Sequence, residues 1–521
     1  MAKKIICGID LGTSSCKVCL LNEEQDTFEM IDFDGSNYMP SVVIIENDRI
    51  IVGVEQASSN GVMITESKRL MQTKFNEVDP EVLKKLPYQV INHNGYCGIP
   101  ITFKGQNYIL TPTHVAAILL HNIKLNIQRN MPSVEEICVV VTVPAQFRDE
   151  QKDETIRAVE MAGMTFLKII DEPIAAAYCY EDESRNGGSK IVNGPHIVVD
   201  VGHGTIDVTV NKKKTIGGTE MIEVIAPVGD CSCGSFNMDM KLTDFFIDQI
   251  CDICGEEKRE MFNPKTKNGM KNIYKTRKIA ESTKKELSIH EQFSADLSTV
   301  DNEIDQEIVV SREEFEEQIE EVTEKIRAVI LKGIEESQLD EEDFKHILLA
   351  GGGSHIPRVE ALIKEIFENC DCDIKKYSDV DVAVARGAAI YAKMNRDGIQ
   401  SLISEVIIHD IKLMGYDGQL HTVLSKGTPI TTQHEFYVQA AYSDAYVDVY
   451  ENNTQLGHFV VSPTRAGECY LTHLRFDENK RLLVQVDVGD RQINGVNVQR
   501  QANQNENKRE DERRFIESFF N

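Results

Sequence analysis

The sequence predicts an α/β region of about 400 residues followed by a small all-β domain. Over residues 1–395, strand-like runs of β-branched residues alternate with charge-rich helical segments, as is typical of α/β architecture. From residue 411 onward the helical period disappears and apolar residues alternate with polar ones. A chain of 521 residues also exceeds what a single hydrophobic core usually organises, so at least two domains are expected.

Three segments give the clearest local patterns in the first region. Residues 4–21 are predicted to form a hairpin, because apolar runs flank a Gly-Thr-Ser-Ser turn. Residues 137–143 form a continuous β-branched run, which predicts a buried strand. Residues 311–339 are predicted to be one helix, since Ser311 and Glu314 have capping-box spacing and apolar residues then recur at helical period.

The later residues follow a different pattern. Residues 482–488 carry an apolar side chain at every second position, which predicts a strand, and Asn-Gly at 494–495 predicts a type I′ hairpin. The last residues are rich in Asn, Gln and charge, which indicates a frayed or short helical tail. The predicted organisation is a first domain over residues 1–395, a linker over 396–410, a β-domain over 411–500 and a polar, charged tail over 501–521.

Composition restricts the classes of partner and compartment. The net charge of -28 argues against a general nucleic-acid or anionic-membrane binder, because phosphate groups would be repelled. No apolar run is long enough to span a bilayer, and no signal-peptide core follows the first lysines. The thirteen cysteines are an odd number and scattered, which indicates a reducing compartment, so a cytosolic protein is expected.

One short pattern with phosphate-binding chemistry occurs twice, at residues 10–14 and 200–207. In each copy a β-branched strand enters an Asp, a glycine-containing turn follows, and then a Thr. Such a turn lets backbone N–H groups converge on an anion, while the Asp is suited to hydrated Mg²⁺. One copy alone would be a plain hairpin turn about as often as a phosphate site. Two copies favour two related lobes that hold one polyphosphate.

A third glycine-rich turn, residues 350–357, follows a strand and opens into a helical segment. Alone it is compatible with an ordinary strand-to-helix turn, but together with the first two turns it is a candidate contact for adenosine. The sequence contains no G-x-x-x-x-G-K-[ST] loop, which argues against a P-loop enzyme.

In this order and spacing the three turns resemble those of the actin-like ATPases. Four further stretches, at residues 68–70, 141–147, 170–177 and 281–288, narrow the resemblance to the heat shock protein 70 family. The resemblance covers residues 4–395 strongly and 405–490 more weakly. It implies a two-lobed actin-like ATPase domain, with duplicated ribonuclease H-like lobes, followed by a small all-β sandwich.

The resemblance also implies roles for individual residues. Asp10, Glu172 and Asp200 are implied to hold Mg²⁺ through water, and Lys68 to position the γ-phosphate and the attacking water. The implied catalytic residues are Lys68, Glu172, Asp200, Thr205, Asp207 and Asp10. The implied contacts to ATP or ADP are Gly12, Thr13, Ser14, Gly202, His203, Gly204, Thr205, Glu281, Lys284, Lys285, Ser288, Gly351, Gly352, Gly353, His355 and Asp381.

The implied function is that of a monomeric, ATP-dependent chaperone with slow hydrolysis. Its implied partners are unfolded or apolar peptide segments, a J-domain co-chaperone and a nucleotide exchange factor. One alternative is a nucleotide-sensing regulatory protein with a slow or vestigial ATPase. Another is a small-molecule kinase of the same superfamily, which the β-domain disfavours.

Several positions depart from the family pattern, including Ser15, which stands where an aromatic residue is usual, and Lys152, which replaces an arginine. His203 and Ser235 each replace a glycine, and Phe236 replaces an acidic residue. If position 203 requires a positive φ, histidine there costs about 1 kcal/mol. Lys285 and His355 replace arginines that stack on adenine, so weaker nucleotide binding is expected.

Two further features have competing interpretations. The β-domain is shortened around residues 412–421 and no helical lid follows it, so a bound peptide is expected to leave quickly. Cys251 and Cys254 have C-x-x-C spacing, but they fall in a helical segment, where core thiols are a more ordinary explanation than a zinc or redox site.

Overall fold

The computed structural model divides the chain into two compact units. The first unit comprises residues 1–210, 228–400 and 509–521, and the second comprises 211–227 and 401–508. The structure describes residues 3–22, 25–54, 61–185, 190–216, 219–301, 304, 306–376, 380–398, 403–404, 406–407, 409–415, 418–440, 445–461, 468–476, 482–488, 491–493 and 506–520. The predicted hairpin at 494–495 lies outside the described residues.

The first part of the chain supplies a mixed sheet and the helices that cover it. Its strands are β1 (Lys3–Leu11), β2 (Ser15–Asn22), β3 (Thr27–Met30), β4 (Met39–Pro40), β5 (Val43–Ile45), β6 (Ile50–Val52), β7 (Val62–Ile64), β8 (Ile91–His93), β9 (Tyr96–Phe103), β10 (Gln106–Leu110), β11 (Val134–Val143) and β12 (Thr165–Asp171). Its helices are α1 (Pro80–Lys85), α2 (Pro112–Asn130), α3 (Asp149–Met161) and α4 (Glu172–Arg185), with 3-10 helices at Ser67–Leu70 and Phe75–Glu77.

The next part of the chain supplies a second mixed sheet, a separate two-stranded sheet, and the helices around them. The strands in this part of the chain are β13 (Gly194–Val201), β14 (Ile206–Ile216), β15 (Thr219–Asp230), β16 (Gln292–Asp296), β17 (Glu307–Ser311), β18 (His346–Ala350) and β19 (Asp373–Lys376). Strands β16 and β17 form the separate two-stranded sheet. Its helices are α5 (Ser235–Cys254), α6 (Lys267–Leu287), α7 (Arg312–Gln318), α8 (Glu320–Ser337), α9 (Pro357–Ile366) and α10 (Ala383–Arg396), with 3-10 helices at Glu256–Phe262, Glu341–Asp343 and Gly352–His355.

The two sheets have the same strand order. The first runs β12-β11-β1-β2-β3, with β4 beside β2. The second runs β19-β18-β13-β14-β15 in the equivalent order and adds the two-residue strand β20 (Ile403–Ser404), which is parallel to β15, at its edge. In the first sheet β11 is parallel to both β1 and β12, and in the second β18 is parallel to both β13 and β19. The strand that ends in Asp10 and the strand that ends in Asp200 and Val201 therefore hold equivalent central places in the two sheets.

Most sequence predictions for the first region are confirmed at the level of elements. Residues 4–21 form the antiparallel hairpin β1–β2, and residues 137–143 lie in the buried strand β11. The predicted single helix over 311–339 is wrong, because α7 and α8 are separate helices that meet at Ile319. Ile319 is fully buried, so the apolar period runs through the break and conceals it.

The second unit contains two antiparallel sheets. Its strands after residue 400 are β20 (Ile403–Ser404), β21 (Ile411–Met414), β22 (Leu420–Leu424), β23 (His434–Ala440), β24 (Ala445–Glu451), β25 (Thr454–Val461), β26 (Glu468–Phe476), β27 (Leu482–Val488) and β28 (Arg491–Ile493). One sheet runs β22-β21-β24-β25 and the other β23-β26-β27-β28. Side chains of both sheets, including Leu413, Val449, Tyr470 and Val484, share one apolar core.

The chain ends its described course in α11 (Glu506–Glu517), whose residues from 509 onward group with the first unit. The tail therefore contains a short helix, as the composition allowed. Across the described residues, no helix combines the length and apolar character that a bilayer crossing requires.

Close packing of α10 on β1 fixes the centre of the first sheet. A Cβ added to Gly8 would lie 2.2 Å from the backbone N of Ala389 and 2.5 Å from the carbonyl O of Ala385. Real Cβ atoms do not approach backbone so closely, so only glycine lets this helix and strand meet.

We predict that Gly8→Ala lowers the free energy of unfolding by about 3 kcal/mol, the upper end of the usual cost of overpacking. The value lies at the upper end because the backbone of α10, rather than the tip of a side chain, must move. Urea denaturation monitored by circular dichroism would measure it. Thr27→Ala, at an exposed position of β3, is the matched control and should change stability by less than about 0.5 kcal/mol. Equal stability of the two variants would contradict the packing argument.

Candidate functional site

Two glycine turns meet at the carboxyl ends of the central strands. Gly12, Thr13 and Ser14 connect β1 to β2, and residues 202–205 connect β13 to β14. A Cβ added to Gly204 would lie 2.7 Å from the hydroxyl oxygen of Thr13, so the two turns are in direct contact. The contact brings both turns to the border of a single cavity.

The cavity has a volume of about 560 Å³ and is lined from both sheets. It brings together nearly all the predicted site residues: Asp10, Gly12, Thr13, Ser14, Lys68, Glu172, Asp200, Gly202, His203, Gly204, Thr205, Glu281, Lys284, Lys285, Ser288, Gly351, Gly352, His355 and Asp381. Asp207 and Gly353 are predicted site residues that do not line it. Gly353 instead packs on β13, since a Cβ there would lie 2.4 Å from a methyl carbon of Val201.

Lys68 and Glu172 form a buried ion pair in the wall of the cavity. Their Nζ and Oε1 atoms are 2.8 Å apart, and both side chains are about nine-tenths buried. Burial raises the pKa of the Glu172 carboxyl, while the Lys68 charge opposes that rise and the Asp10 charge adds to it. The local segment places Lys68 here because Ser67–Leu70 forms a single 3-10 turn, which directs its side chain inward.

Three aspartates extend the buried negative charge. Burial raises the pKa of Asp200 well above its usual range, and the charges of Glu172, Asp207 and Asp10 raise it further. Burial also raises the pKa of Asp207 to about 8, with Glu172 as the next cause. Asp207 accepts a hydrogen bond of 2.9 Å from the backbone N–H of Ala145. Asp207 is thus held just behind the cavity wall.

The donor set fits a hydrated divalent cation. Asp10, Glu172 and Asp200 all face the same cavity. Burial raises the pKa values of Glu172 and Asp200, and the charges of neighbouring carboxylates add to that rise. Among the described residues, however, no group of three or more His, Cys, Asp or Glu side chains is close enough to hold a metal directly. A cation here would be bound through water, as Mg²⁺ commonly is.

Glu281 organises the opposite end of the cavity. It accepts hydrogen bonds from Lys278 at 2.5 Å and Lys285 at 2.7 Å. Burial alone would raise the pKa of Glu281, but the two lysines outweigh it and lower that pKa. On the same helix, Lys284 pairs with the buried Asp239 at 2.7 Å. The positive side chains of α6 are therefore fixed by carboxylates before any ligand arrives.

The third turn forms the facing wall. Gly351 has φ of 75°, and a Cβ there would lie 2.3 Å from Oδ1 of Asp200. His355, in the 3-10 helix that follows, lies 3.5 Å from Asp381 Oδ2, and this hydrogen bond lowers the pKa of Asp381. The turn thus joins the strand-end carboxylate to the Glu281 end of the cavity.

A set of five side chains, Glu66, Arg69, His203, Phe236 and Arg277, forms a contact network that reaches the cavity through His203, and we call it the clasp. His203 Nε2 lies 3.2 Å from Glu66 Oε1, and Arg277 Nη1 lies 3.9 Å from the same oxygen. The guanidinium groups of Arg69 and Arg277 lie 4.9 and 5.0 Å from the centre of the Phe236 ring. Such cation–π contacts are each worth about 0.5–2 kcal/mol.

The clasp links the first part of the chain to the second. Glu66 and Arg69 follow β7, whereas His203, Phe236 and Arg277 come from the β13–β14 turn, α5 and α6. Burial would raise the pKa of Glu66, but His203, Arg277 and Arg69 lower it, so its charge is retained. His203 does not have a positive φ. Histidine at this position therefore does not carry the backbone strain expected if a positive φ were required.

Several residues that line the cavity were not predicted as site residues, and Lys17 and Tyr38 are polar examples. Lys17 Nζ lies 3.2 Å from Asp10 Oδ2, directly across the β1–β2 pairing, and Tyr38 lines the cavity near Lys285. The alternation of β2 could have identified Lys17, because it lies directly opposite Asp10 in the β1–β2 hairpin. No local pattern marks Tyr38, which precedes the short strand β4.

The cysteines are thiols in this structure. All thirteen are free, and Cys251 and Cys254 lie in the last turn of α5. The positions of Cys251 and Cys254 fit the interpretation that they are ordinary thiols of a helix.

Comparison with known proteins identifies similar chains. A family model described as "Hsp70 protein" matches residues 6–513. A protein of Neurospora crassa named "Heat shock 70 kDa protein" is 28% identical over 468 residues, which cover 86% of this chain and 68% of that protein.

We predict that Lys68→Met destabilises the fold in a pH-dependent way. Without the lysine the pKa of Glu172 rises further, so the folded state prefers the protonated carboxyl and loses stability as pH rises through that pKa. Breaking a buried pair costs about 3–5 kcal/mol, and we expect that loss at pH 8 but a much smaller one at pH 5. Urea denaturation at both pH values would measure it.

The double variant Lys68→Met/Glu172→Gln is the matched control. It removes both charges together and should recover most of the stability at pH 8. A loss in Lys68→Met that is the same at both pH values, or that the second substitution does not relieve, would contradict this account.

Proposed function

Because the chain belongs to the Hsp70 family, we propose that it is an ATP-dependent chaperone that couples hydrolysis of Mg-ATP to the binding of unfolded, apolar polypeptide segments. In this proposal the first unit is a two-lobed actin-like ATPase domain with duplicated ribonuclease H-like lobes. The two sheets of identical strand order support that view. The second unit is proposed to be a peptide-binding β-sandwich, supported by the core that its two sheets share.

One observation carries the proposal: two glycine turns in contact border a cavity that holds Asp10, Glu172, Asp200 and Lys68 together. Backbone N–H groups of such turns suit the oxygens of a polyphosphate. The volume of about 560 Å³ is in the range of ordinary small-molecule sites. The far end of the cavity, at Glu281 and Ser288, supplies polar groups suited to a nucleoside.

The proposed chemistry is attack by water on the γ-phosphate. Asp10, Glu172 and Asp200 would hold a hydrated Mg²⁺, which would supply positive charge to stabilise the phosphoryl group. Lys68 adds a fixed positive charge, and Glu172 keeps its ammonium group in position. Asp207, whose pKa is raised to about 8, is proposed with Thr205 to orient the attacking water. Catalysis then rests mainly on positioning and electrostatics.

Exposed aromatic groups of the second unit support binding of apolar peptides. Tyr437 on β23 is 72% exposed and Tyr446 on β24 is 65% exposed. Aromatic side chains bind apolar segments with little loss of conformational entropy. We propose that the linker over residues 396–410 communicates the nucleotide state, and that a J-domain co-chaperone and an exchange factor regulate it. The thirteen free cysteines support a proposal of cytosolic location.

The direct test is ATP turnover with and without an unfolded apolar peptide. We expect slow basal turnover that the peptide stimulates, and a loss of at least 100-fold in Lys68→Ala, about 2.7 kcal/mol of transition-state stabilisation. Single-turnover phosphate release would measure the rate, and nucleotide binding should persist in the variant.

Lys74→Ala is the matched control, because Lys74 lies on the same segment in a half-exposed ion pair with Glu77 and does not line the cavity. Its turnover should equal that of the unchanged protein. Nucleotide binding without turnover in the unchanged protein would overturn the proposed ATPase, and turnover that peptide leaves unaffected would overturn the proposed coupling.

The clasp generates a further expectation about nucleotide release. Glu66→Gln removes the charge that holds His203 and Arg277 while keeping the shape of the side chain. A hydrogen bond to a charged group is worth about 1.5–3 kcal/mol, so we expect ADP to dissociate about tenfold faster with kcat little changed. Stopped-flow displacement of a fluorescent ADP analogue would measure the rate.

Glu77→Gln serves as the control, since Glu77 is half exposed and contacts only Lys74 among the ion pairs described. If Glu66→Gln released ADP at the unaltered rate, the clasp would not restrain the nucleotide.

A further inference from the structure

The helix α11 packs on the first unit although it follows the second unit in sequence. The chain leaves the first unit after residue 400 and returns to it at residue 509. Nearly every residue from 506 to 514 is charged, whereas residues 515–520 include three phenylalanines and an isoleucine. This distribution is that of an amphipathic helix with its apolar end at the last turn.

The apolar end of α11 enters the main core of the first unit. Ile516 is fully buried and Phe519 is 3% exposed. The ring of Phe519 lies 4.9 Å from that of Phe103, and the ring of Phe520 lies 4.6 Å from that of His121. These spacings are those of favourable aromatic pairs.

Phe515 occupies the middle of the same contact. Its ring lies 5.7 Å from that of Tyr108 and 5.4 Å from that of His114. We call the four receiving side chains, Phe103, Tyr108, His114 and His121, the aromatic seat.

The aromatic seat is held in place by contacts that do not involve α11. His114 Nδ1 lies 2.8 Å from the hydroxyl of Thr111, in the capping box of α2. His121 Nδ1 lies 3.1 Å from the carbonyl O of Ala162. The Tyr108 hydroxyl donates to Gln106 at 2.6 Å. The seat is therefore formed by the first part of the chain alone, and α11 is its occupant rather than its support.

A charged contact sets the orientation of α11 on the seat. Arg157 of α3 donates to both carboxylate oxygens of Glu512, at 2.5 and 3.2 Å. Arg157 is fixed from its other side by Glu154, at 3.1 Å. Paired hydrogen bonds between a guanidinium and a carboxylate specify both position and direction.

The helix depends on the seat for its structure. A helix of twelve residues is marginal in water, and most of the stability of such helices comes from tertiary packing. Residues 510, 511, 513, 514 and 518 are exposed, so α11 is attached along one side only. Detachment would therefore unfold it, which makes docking and helix formation one event.

We propose that the aromatic seat together with Arg157 is a docking site for an amphipathic helix and that α11 of the same chain is its occupant. The contact is a latch that holds the chain on the first unit after residue 508 as well as before residue 401. With the latch closed, residues 401–508 are anchored before and after, so their range of movement is restricted. With the latch open, the attachment after residue 508 is lost, and the connection at residue 400 and the pairing of β20 with β15 remain. The latch does not involve the nucleotide cavity and stands independently of the proposed function.

Charge reversal in the full-length chain tests the latch. Glu512→Arg and Arg157→Glu each replace an attractive contact by a repulsive one, and we expect at least tenfold faster amide hydrogen exchange over residues 513–520 in each. The double variant Arg157→Glu/Glu512→Arg should return exchange to within about threefold of the unchanged chain, as a direct pair requires. Arg514→Glu should have no effect, because the Arg514 side chain is 70% exposed and, among the described residues, its ion pair is with Glu510 of the same helix.

Small-angle X-ray scattering tests the consequence for the second unit. The single charge reversals should increase the radius of gyration and the double variant should restore it. Unchanged exchange in the single variants, failure of the double variant to restore it, or an unchanged radius of gyration would overturn the proposal. Protection of residues 513–520 that is lost on tenfold dilution would also overturn it, because the occupant would then come from a second copy.

Discussion

Uncompensated negative charge at the junction of the two sheets controls the chemistry of the cavity. Asp10, Glu172, Asp200 and Asp207 are all buried, and the two lysines that contact them, Lys17 and Lys68, cannot balance four carboxylates. Burial, together with the charges of neighbouring carboxylates, raises the pKa values of Glu172, Asp200 and Asp207. The site must therefore retain protons or take up a cation. A free polyphosphate would be repelled, whereas a polyphosphate that carries its own metal brings the missing charge.

Backbone geometry makes this charge cluster possible. The central strands β1 and β13 each carry an aspartate, Asp10 or Asp200, as their next-to-last residue. The two carboxylates come together only if the turns that follow these strands can touch. Gly204 permits this at Thr13, and Gly351 permits the third turn to approach Asp200. A single Cβ at either glycine would separate the walls of the cavity. Close packing, such as that between α10 and β1 at Gly8, holds the strands in place against the repulsion between these carboxylates.

Sequence patterns predicted most of the site because its parts are local. Each turn is a short strand-Asp-Gly-Thr unit, and its chemistry can be inferred without knowing what it faces. Interactions between distant segments could not be predicted in the same way: Tyr38 precedes a two-residue strand, Gly353 faces Val201 rather than the cavity, and Ile319 keeps the apolar period through a helix break. The seat for α11 was missed for the same reason, since its rings come from β9, β10 and α2.

The clasp shows why substitutions near a site are best judged together. Considered one at a time, these departures from the family pattern predict weaker ligand binding, because His203 adds a ring to a glycine turn and Phe236 replaces an acidic residue. In the structure His203 does not have a positive φ and contacts Glu66, while the Phe236 ring receives two guanidinium groups that would otherwise be buried beside each other. Phe236 also lies 5.6 Å from the His203 ring, so the two substitutions contact each other. They therefore form a new connection between two parts of the chain, and restoring either family residue alone would leave its partner without its contact.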